Sequence, residues 1–237
     1  MRLAFDYHTH TVHSHGAGTV EQNVKAAIKR GLSAIAIADH SVRHAFYAVR
    51  DVEAYLKDID MAKEKYKGVI DVKSALELNL LSLDGELDVP RGYEKSFNLL
   101  LFGFHKLVRF SGAASALSFV LPKSQTEKAV SRYTNAYLAA IKNYNVNVVT
   151  HLGYGLPVNK PAVAAAAAKK GVLLEINNNH PEFSAQELEE CLHTGANFIL
   201  GSDAHRPEDV GLAPNAIIKA QTAGVSAGRI VNAKEET

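Results

Sequence analysis

The sequence has a single cysteine and no excess of charge of either sign. Cys191 has no second cysteine to pair with, so no disulfide can form within the chain, and we expect a cytoplasmic location. The chain has 26 Lys and Arg against 25 Asp and Glu, a net charge of +1. Proteins that hold long nucleic acids usually have a basic surplus. We therefore expect no stable binding to long nucleic acids, although a short one stays open as a substrate.

Long apolar runs are also missing. No stretch approaches the ~20 apolar residues that cross a bilayer, and the N-terminus reaches Asp6 and His8 too early to hold the apolar part of a signal peptide. No membrane partner is expected. Pro-rich or Ser-rich spacers and internal repeats are absent as well, which predicts one domain over residues 1–237. Apolar residues make up 47% of the chain, enough for a real core, which excludes a disordered chain.

Short apolar runs alternate with helical segments along the chain. The runs are rich in Val, Ile and Leu at consecutive positions, which is typical of strands covered on both faces and hence of a parallel sheet. The predicted strands are residues 3–7, 34–38, 69–76, 97–104, 146–150, 172–176 and 198–200.

The helical segments have recognisable ends. Capping boxes, in which a hydroxyl and a Glu or Gln each bond an end amide, begin at Thr19, Ser124 and Ser184. Glycines at positions 31, 68, 171 and 195 stand where helices should end. This repetition of strand, helix, glycine and strand indicates a βα-repeat protein, either an open doubly wound sheet or a barrel.

Four further segments have simple expectations. The alanine-rich residues 162–168 should form a closely packed helix, and Cys191 should be a small core residue. Residues 233–237 are expected to be a frayed tail. Residues 106–123 show no clear element, and they are predicted to be either a lid over the site or a packed surface loop.

Eleven histidines are the unusual feature of the composition. Six of the seven predicted strands end in, or lead into, a side chain that can bind a metal ion. In a parallel βα barrel the carboxyl ends of the strands meet at one rim, so these side chains should converge. In chain order they are His8, His10, His13 and His15, then Asp39 and His40, then Glu77, His105 and His151, and last Asp203 and His205.

The types of these residues indicate a metal site. Imidazole and carboxylate ligands suit zinc, manganese or iron, and the lack of clustered cysteines argues against a structural zinc knot. A mononuclear site uses three or four ligands, whereas about nine are available here. The surplus predicts a multinuclear site in which one carboxylate bridges two ions.

In these residues the sequence resembles the PHP (polymerase and histidinol phosphatase) family, from Asp6 to about Gly211. It looks most like the small stand-alone bacterial phosphatases of that family. The resemblance implies a distorted (β/α)7 barrel, similar to a TIM barrel, with the active site at the carboxyl ends of the strands. It also implies three divalent metal ions, with zinc expected ahead of manganese or iron.

The resemblance also assigns a ligand set to each ion. The first ion would be held by His8, His10, Glu77 and Asp203, the second by Glu77 as a bridge with His105 and His151, and the third by His15, His40 and His205. His13 stands two residues from His15 and could compete with it as a ligand.

The expected activity is hydrolysis of a small phosphomonoester through a hydroxide that bridges two of the ions, chemistry like that of a histidinol phosphatase. Glu77, Asp203 and His205 are predicted to be the catalytic residues. Four side chains near ligand positions either clamp the substrate phosphate or are solvated surface charges, namely Arg43, His44, Lys106 and Arg206. His180 either contacts the substrate or completes a polar loop. Asp6 and Asp39 either orient imidazoles or make ordinary strand-end hydrogen bonds.

Other functions stay open at this point. One is a phosphodiesterase or nuclease that acts on short nucleic acids, and another is a non-catalytic regulatory protein that binds metal. A barrel hydrolase of amides or lactones is a third. Such enzymes often have a carbamylated lysine at a strand end, and no predicted strand ends in a suitably placed lysine. The physiological substrate and the oligomeric state stay open as well.

Overall fold

A parallel sheet forms the centre of the fold. The computed structural model describes residues 1–121 and 125–235, and within them seven strands form one sheet in which each strand pairs in parallel with the next along the chain. In chain order the strands are β1 (Arg2–Leu3), β2 (Phe5–Asp6), β3 (Ala34–Ile37), β4 (Asp71–Asn79), β5 (Leu99–Gly103), β6 (Val148–Val149), β7 (Leu173–Asn177), β8 (Phe198–Gly201) and β9 (Ala233–Lys234). The sheet consists of β2 to β8.

The two edges of this sheet meet beyond the ends of β2 and β8. Thr9 and Ala204 form a parallel bridge. The His10 N–H donates to the Ala204 carbonyl over 2.8 Å, and the Ala204 N–H donates to the His8 carbonyl over 3.3 Å. These contacts nearly close the sheet into a barrel, so the predicted distorted (β/α)7 architecture is confirmed.

Helices follow most of the strands. They are α1 (Val20–Lys29), α2 (Val52–Lys65), α3 (Ala113–Val120), α4 (Glu127–Asn143), α5 (Lys160–Lys170), α6 (Ala185–Leu192) and α7 (Pro214–Thr222), with 3-10 turns at Pro207–Asp209 and Ala227–Arg229. Within residues 1–121 and 125–235, no helix combines the length and the apolar character that a bilayer crossing requires.

The predicted helix ends agree well with the structure. Thr19 and Ser184 form the capping boxes of α1 and α6. The N-cap of α4 is Thr126, while Ser124 of the box predicted there lies outside the described residues. Gly171 ends α5 in the left-handed region, with a φ of 69°. Residues 162–168 lie inside α5, and Cys191 of α6 is fully buried, as expected of a core residue.

Apolar clusters lie on both faces of the sheet, and they show which face the Glu77 side chain is on. On β4, Leu76 and Leu78 pack into the large cluster between the sheet and the helices. Ala75 belongs to a second cluster on the inner face, together with Ala36, Ala38, Leu101, Val148 and Ile199. Successive side chains of a strand face opposite sides, so Glu77 shares the inner face with Ala75. Glu77 does not end the strand as predicted, because β4 continues to Asn79.

The chain termini differ from the expectation. The predicted strand at residues 3–7 is divided into β1 and β2, and β1 pairs antiparallel with β9, with Leu3 opposite Ala233. The prediction of a frayed tail is therefore wrong for residues 233 and 234, which are held by this pairing. Residues 236–237 lie outside the described part.

Residues 106–121 are packed against the rest of the chain, as in the second of the two alternatives predicted for residues 106–123. The Ala45 N–H donates to the Leu107 carbonyl (2.7 Å), and the Arg109 N–H donates to the Arg43 carbonyl (3.0 Å). These bonds form a short antiparallel ribbon. The helix α3 follows, and Phe119 is buried against the core. The packed interpretation is thus the better one, although Lys106 and Leu107 reach the cavity described below. Residues 122 and 123 of the predicted segment are outside the described residues.

Candidate metal centre

Glu77 lies at the centre of the predicted ligands. Its side chain is inside the barrel and fully buried. One carboxylate oxygen, Oε1, faces three imidazole Nε2 atoms, and the other, Oε2, faces two more ring nitrogens. The distances to Oε1 are 2.7 Å from His151, 3.4 Å from His105 and 3.4 Å from His8, and those to Oε2 are 2.9 Å from His40 Nδ1 and 3.8 Å from His10 Nε2.

Asp203 joins the same cluster from the far end of the chain. Its Oδ1 lies 3.2 Å from His10 Nε2 and 3.6 Å from His8 Nε2. Two ligand atoms on one tetrahedral zinc ion, each at about 2.0–2.1 Å, lie roughly 3.4 Å apart. The spacing of His8, His10 and Asp203 is therefore that of groups around a single ion.

A third group of imidazoles lies beside the first two. Ring nitrogens of His10, His15, His40 and His205 all lie within 4.8 Å of one another. His13 is outside this group, because its Nε2 pairs with Asp58 Oδ2 at 2.9 Å. Of the two histidines that could compete, His15 is thus the one beside the cluster.

Two of the predicted ligands, His151 and Asp203, have strained backbones. His151 has a φ of 29° and Asp203 has a φ of 51°, in a region that residues other than glycine seldom adopt. Hydrogen bonds hold both peptides in place: the His151 N–H donates to Glu175 Oε2 at 2.9 Å, and the Asn179 amide donates to the Asp203 carbonyl at 2.9 Å. Strain of this kind is typical of sites that hold side chains in a required direction.

The polar atoms at the centre have too few protein partners. Among the described residues, His8 Nε2, both ring nitrogens of His10 and Glu77 Oε2 are buried without a hydrogen bond of good geometry. Buried polar atoms are nearly always satisfied in folded proteins. His8 Nε2 and His10 Nε2 face the carboxylates of Glu77 and Asp203. Imidazole nitrogen with carboxylate oxygen is a common donor set for divalent transition metals. The residues present therefore fit bound metal ions.

The electrostatics favour the metal-binding forms of Glu77, His10 and His105. Burial alone would raise the pKa of Glu77, but His105, His8 and His40 bring that pKa well below its ordinary value. Burial lowers the pKa of His10 well below its usual value and lowers the pKa of His105 to about 3. An ionised carboxylate beside neutral imidazoles is the state in which such groups bind metal.

Asp6 and Asp39 do not orient the imidazoles. Asp6 accepts from the Ser202 hydroxyl (2.5 Å) and the Gly211 N–H (2.8 Å). Asp39 accepts from the N–H (2.7 Å) and the hydroxyl (2.6 Å) of Thr11. The strand-end interpretation of these two residues is therefore confirmed.

Glu175, which was not singled out from the sequence, contacts the ring of the predicted ligand His8. Its Oε1 lies 2.6 Å from His8 Nδ1. Burial would lower the pKa of His8, but Glu175, Glu77 and Asp203 raise it well above its ordinary value. One signal for Glu175 was available, since it is the only charged residue in the apolar run 172–176.

A cavity of about 520 Å3 opens over the centre. Of the candidate substrate contacts, His44, Lys106 and His180 line it, as do Tyr47 and Tyr154, which the sequence analysis did not single out. The remaining two candidates are not brought to this cavity. The Arg43 guanidinium lies 3.3 Å from Ser111 Oγ, and the exposed Arg206 side chain lies 3.9 Å from a Glu208 carboxylate oxygen.

Comparison with known proteins identifies the family. The model of the PHP domain matches residues 6–179. The chain belongs to the PHP domain family. The resemblance stated from the sequence is thus confirmed, and with it the predicted enzyme class, a metal-dependent phosphatase. Asp203 and His205 lie beyond the matched residues, and it is the closure of the barrel that brings them to the centre.

Curated relatives and a solved structure agree with this assignment. A probable phosphatase of Thermoanaerobacter sp. (strain X514) is 28% identical over 98% of this PHP chain and 91% of its own length. A probable phosphatase of Shewanella sp. (strain MR-4) is 31% identical over 86% of this chain and 77% of its own. The histidinol phosphate phosphatase of Lactococcus lactis, solved with zinc, L-histidinol and phosphate, has the same fold, with a TM-score of 0.63, 20% identity and coverage of 92% and 91%.

Proposed function

We propose that this PHP-family protein hydrolyses a small phosphomonoester at a centre of three divalent metal ions. The observation that best supports this proposal is the set of four buried ring nitrogens without a hydrogen-bond partner among the described residues that surround the two oxygens of Glu77, those of His8, His10, His40 and His105. Zinc is the first ion to test, and manganese or iron are the alternatives.

Three ligand sets agree with the distances. His8, His10, Glu77 and Asp203 would hold one ion, and His105 and His151 would hold a second that shares Glu77. His15, His40 and His205 would hold the third. His10 also lies within reach of this last group, so its ring sits between two of the proposed ions.

The ions supply Lewis-acid chemistry when bound, in that they lower the pKa of a water molecule and offset negative charge on the phosphoryl oxygens. The protein's own residues do the rest. Glu77 and Asp203 would supply the negative charge that offsets the positive charge of the ions. His205 lies at the outer side of the cluster, where its side chain is one-third exposed to the cavity. Glu77, Asp203 and His205 therefore remain the proposed catalytic residues.

The cavity wall would bind the substrate. Lys106 Nζ lies 5.2 Å from the centre of the Tyr154 ring, and His180 Nε2 lies 3.5 Å from Asp203 Oδ2. His44, Lys106 and His180 thus offer donors to phosphate oxygens or to the leaving group. We also propose that residues 1–237 act as one unit, because β9 pairs with β1 and because Asp203 enters the same cluster as His8.

The test is metal analysis with turnover on the same preparation. Protein from metal-replete medium should contain close to three ions per chain and hydrolyse p-nitrophenyl phosphate in preference to bis(p-nitrophenyl) phosphate. A chelator should abolish turnover and added zinc should restore it. Full metal content with diester hydrolysis alone would replace the monoester proposal, and protein that binds no metal would contradict the site itself.

A further inference from the structure

Glu175 is the one charged residue of β7, and it is almost completely buried, with 1% of its surface exposed. Both of its oxygens are occupied. Oε1 lies 2.6 Å from His8 Nδ1, and Oε2 accepts from the His151 N–H at 2.9 Å and from the Asn177 side-chain amide at 2.8 Å. The carboxylate thus receives three donors at once.

These contacts involve proposed ligands of both ions that would share Glu77. His8 belongs to the proposed ligands of one ion and His151 to those of the other. The Asn177 amide also lies 3.2 Å from Asp203 Oδ2. One carboxylate is therefore connected to three proposed ligands, two directly and one through Asn177.

The neighbouring strand leaves room for this carboxylate. Gly201 of β8 stands beside it, and a Cβ placed on Gly201 would lie only 1.9 Å from Glu175 Oε1. The φ of Gly201 is not in the left-handed region, so backbone conformation does not require a glycine there. The requirement comes from the space that Glu175 occupies.

We infer that Glu175 is a positioning residue for the proposed metal centre, and this inference rests on the function proposed above. By accepting from His8 Nδ1, it directs the proton to that nitrogen and leaves the Nε2 lone pair facing Glu77 and Asp203, at 3.4 and 3.6 Å. By accepting from the His151 N–H, it holds the strained peptide that aims the His151 ring at Glu77.

The substitution Glu175→Gln tests this role with almost no change of shape. An amide has one acceptor oxygen and one donor nitrogen, whereas the site presents donors on both sides. If the amide nitrogen faces His8, the proton moves to Nε2, the atom that should bind metal. If the amide nitrogen faces His151 and Asn177 instead, three N–H donors meet there and have no acceptor between them. Either arrangement weakens the metal site.

The measurement is zinc affinity, by competition with a chromogenic chelator, together with the rise in unfolding temperature that zinc causes. Glu175→Gln should bind zinc roughly 10–100-fold more weakly, the range known for residues behind a metal ligand. Gly201→Ala, which keeps the carboxylate but displaces Oε1, should act in the same direction. Neither readout requires turnover.

Asp88→Asn is the matched control. Asp88 is also a buried carboxylate that receives three N–H groups, two from Asn79 and one from Arg43, but it contacts none of the proposed ligand imidazoles. The substitution Asp88→Asn should lower the stability of the metal-free protein and leave its zinc affinity unchanged. A merely structural role of Glu175 would make the two variants alike.

Two results would overturn the inference alone. One is wild-type zinc affinity in Glu175→Gln or Gly201→Ala. The other is failure of both variants to fold at any zinc concentration while Asp88→Asn folds, which would assign Glu175 a structural role. A wild-type protein that binds no zinc, manganese or iron would instead overturn the proposed function.

Discussion

Thr9 and Ala204 form a parallel β-bridge beyond the ends of β2 and β8, although they come from opposite ends of the chain. This bridge sets His10 beside Asp203, with 3.2 Å between His10 Nε2 and Asp203 Oδ1. Closure of the barrel and the geometry of the candidate metal centre therefore depend on the same backbone contact, because the closing residues alternate with the proposed ligands.

Exchange of Glu77 for glutamine should remove the charge around which the imidazoles are arranged. Five ring nitrogens lie within 3.8 Å of the Glu77 oxygens. We expect Glu77→Gln to lose at least one ion per chain and more than about a hundredfold in turnover of p-nitrophenyl phosphate, since even residues behind the ligands typically cost 10–100-fold. Metal analysis beside kinetics checks this, and full activity at full metal content would refute the bridging role.

His13 and His15 provide a matched pair of variants. His15→Ala should lose the ion of the third ligand set, because its ring lies 4.1 Å from that of His205. His13→Ala should keep its metal, because His13 pairs with Asp58 instead. Metal content per chain distinguishes them, and equal losses from the two variants would show that the third set is wrongly assigned.

His205→Ala should act mainly on the same third ion. The His205 ring stacks on that of His10, with 4.4 Å between the ring centroids, and the His205 side chain is 34% exposed. We expect the other two ions to remain and turnover to fall on the order of a hundredfold, as when one charge-stabilising group of an active site is removed. Undiminished turnover of a phosphate ester would contradict a phosphate-binding role for this ion.

Lys106 should contribute to substrate binding, and Arg206 should not. Lys106 lines the cavity, whereas the Arg206 side chain is 68% exposed and lies near Glu208. Loss of a charge-assisted hydrogen bond costs about 1.5–3 kcal/mol, so Lys106→Ala should raise KM about tenfold or more. Arg206→Ala should stay within about twofold of wild type, as expected of an exposed pair. Steady-state kinetics that show the reverse order would place the phosphate elsewhere.

Tyr55 should be important for stability rather than for chemistry. Its fully buried hydroxyl lies 2.8 Å from the Ile37 carbonyl and 2.9 Å from the Ala75 carbonyl, and it accepts from the Asp39 N–H at 3.2 Å. Tyr55→Phe leaves these groups unsatisfied and should lower the free energy of unfolding by about 1–3 kcal/mol. Urea unfolding measures this, with Tyr66→Phe, whose hydroxyl bonds an exposed Glu21, as the control. Equal effects of the two changes would contradict the account.

Much of the fold could be predicted because its signals are local. The strands are apolar at consecutive positions, and Thr19 and Ser184 cap helices through partners three residues away. The placement of His105 and His151 after strands was visible for the same reason. The division of the first predicted strand into β1 and β2 was not predicted, since it depends on pairing with β9.

The parts that could not be predicted depend on distant contacts. Glu175 stands in an apolar run, and its partner His8 is 167 residues away. Arg43 lies in a ribbon with residues 107–109, which directs its side chain towards Ser111 and away from the cavity. Neither relationship has a periodicity or a short spacing that a sequence reading could detect.

The sequence by itself therefore determined the βα alternation, the helix caps and the arrival of imidazoles and carboxylates at the strand ends, since each depends on residues a few positions apart. The tertiary structure decided which of these side chains meet. It placed His15 beside the cluster and His13 against Asp58. It also brought together the segments that follow β2 and β8, so that Asp203 reaches His8 and His10. The physical reason is that such contacts follow from the closure and twist of the whole sheet, which no local pattern specifies.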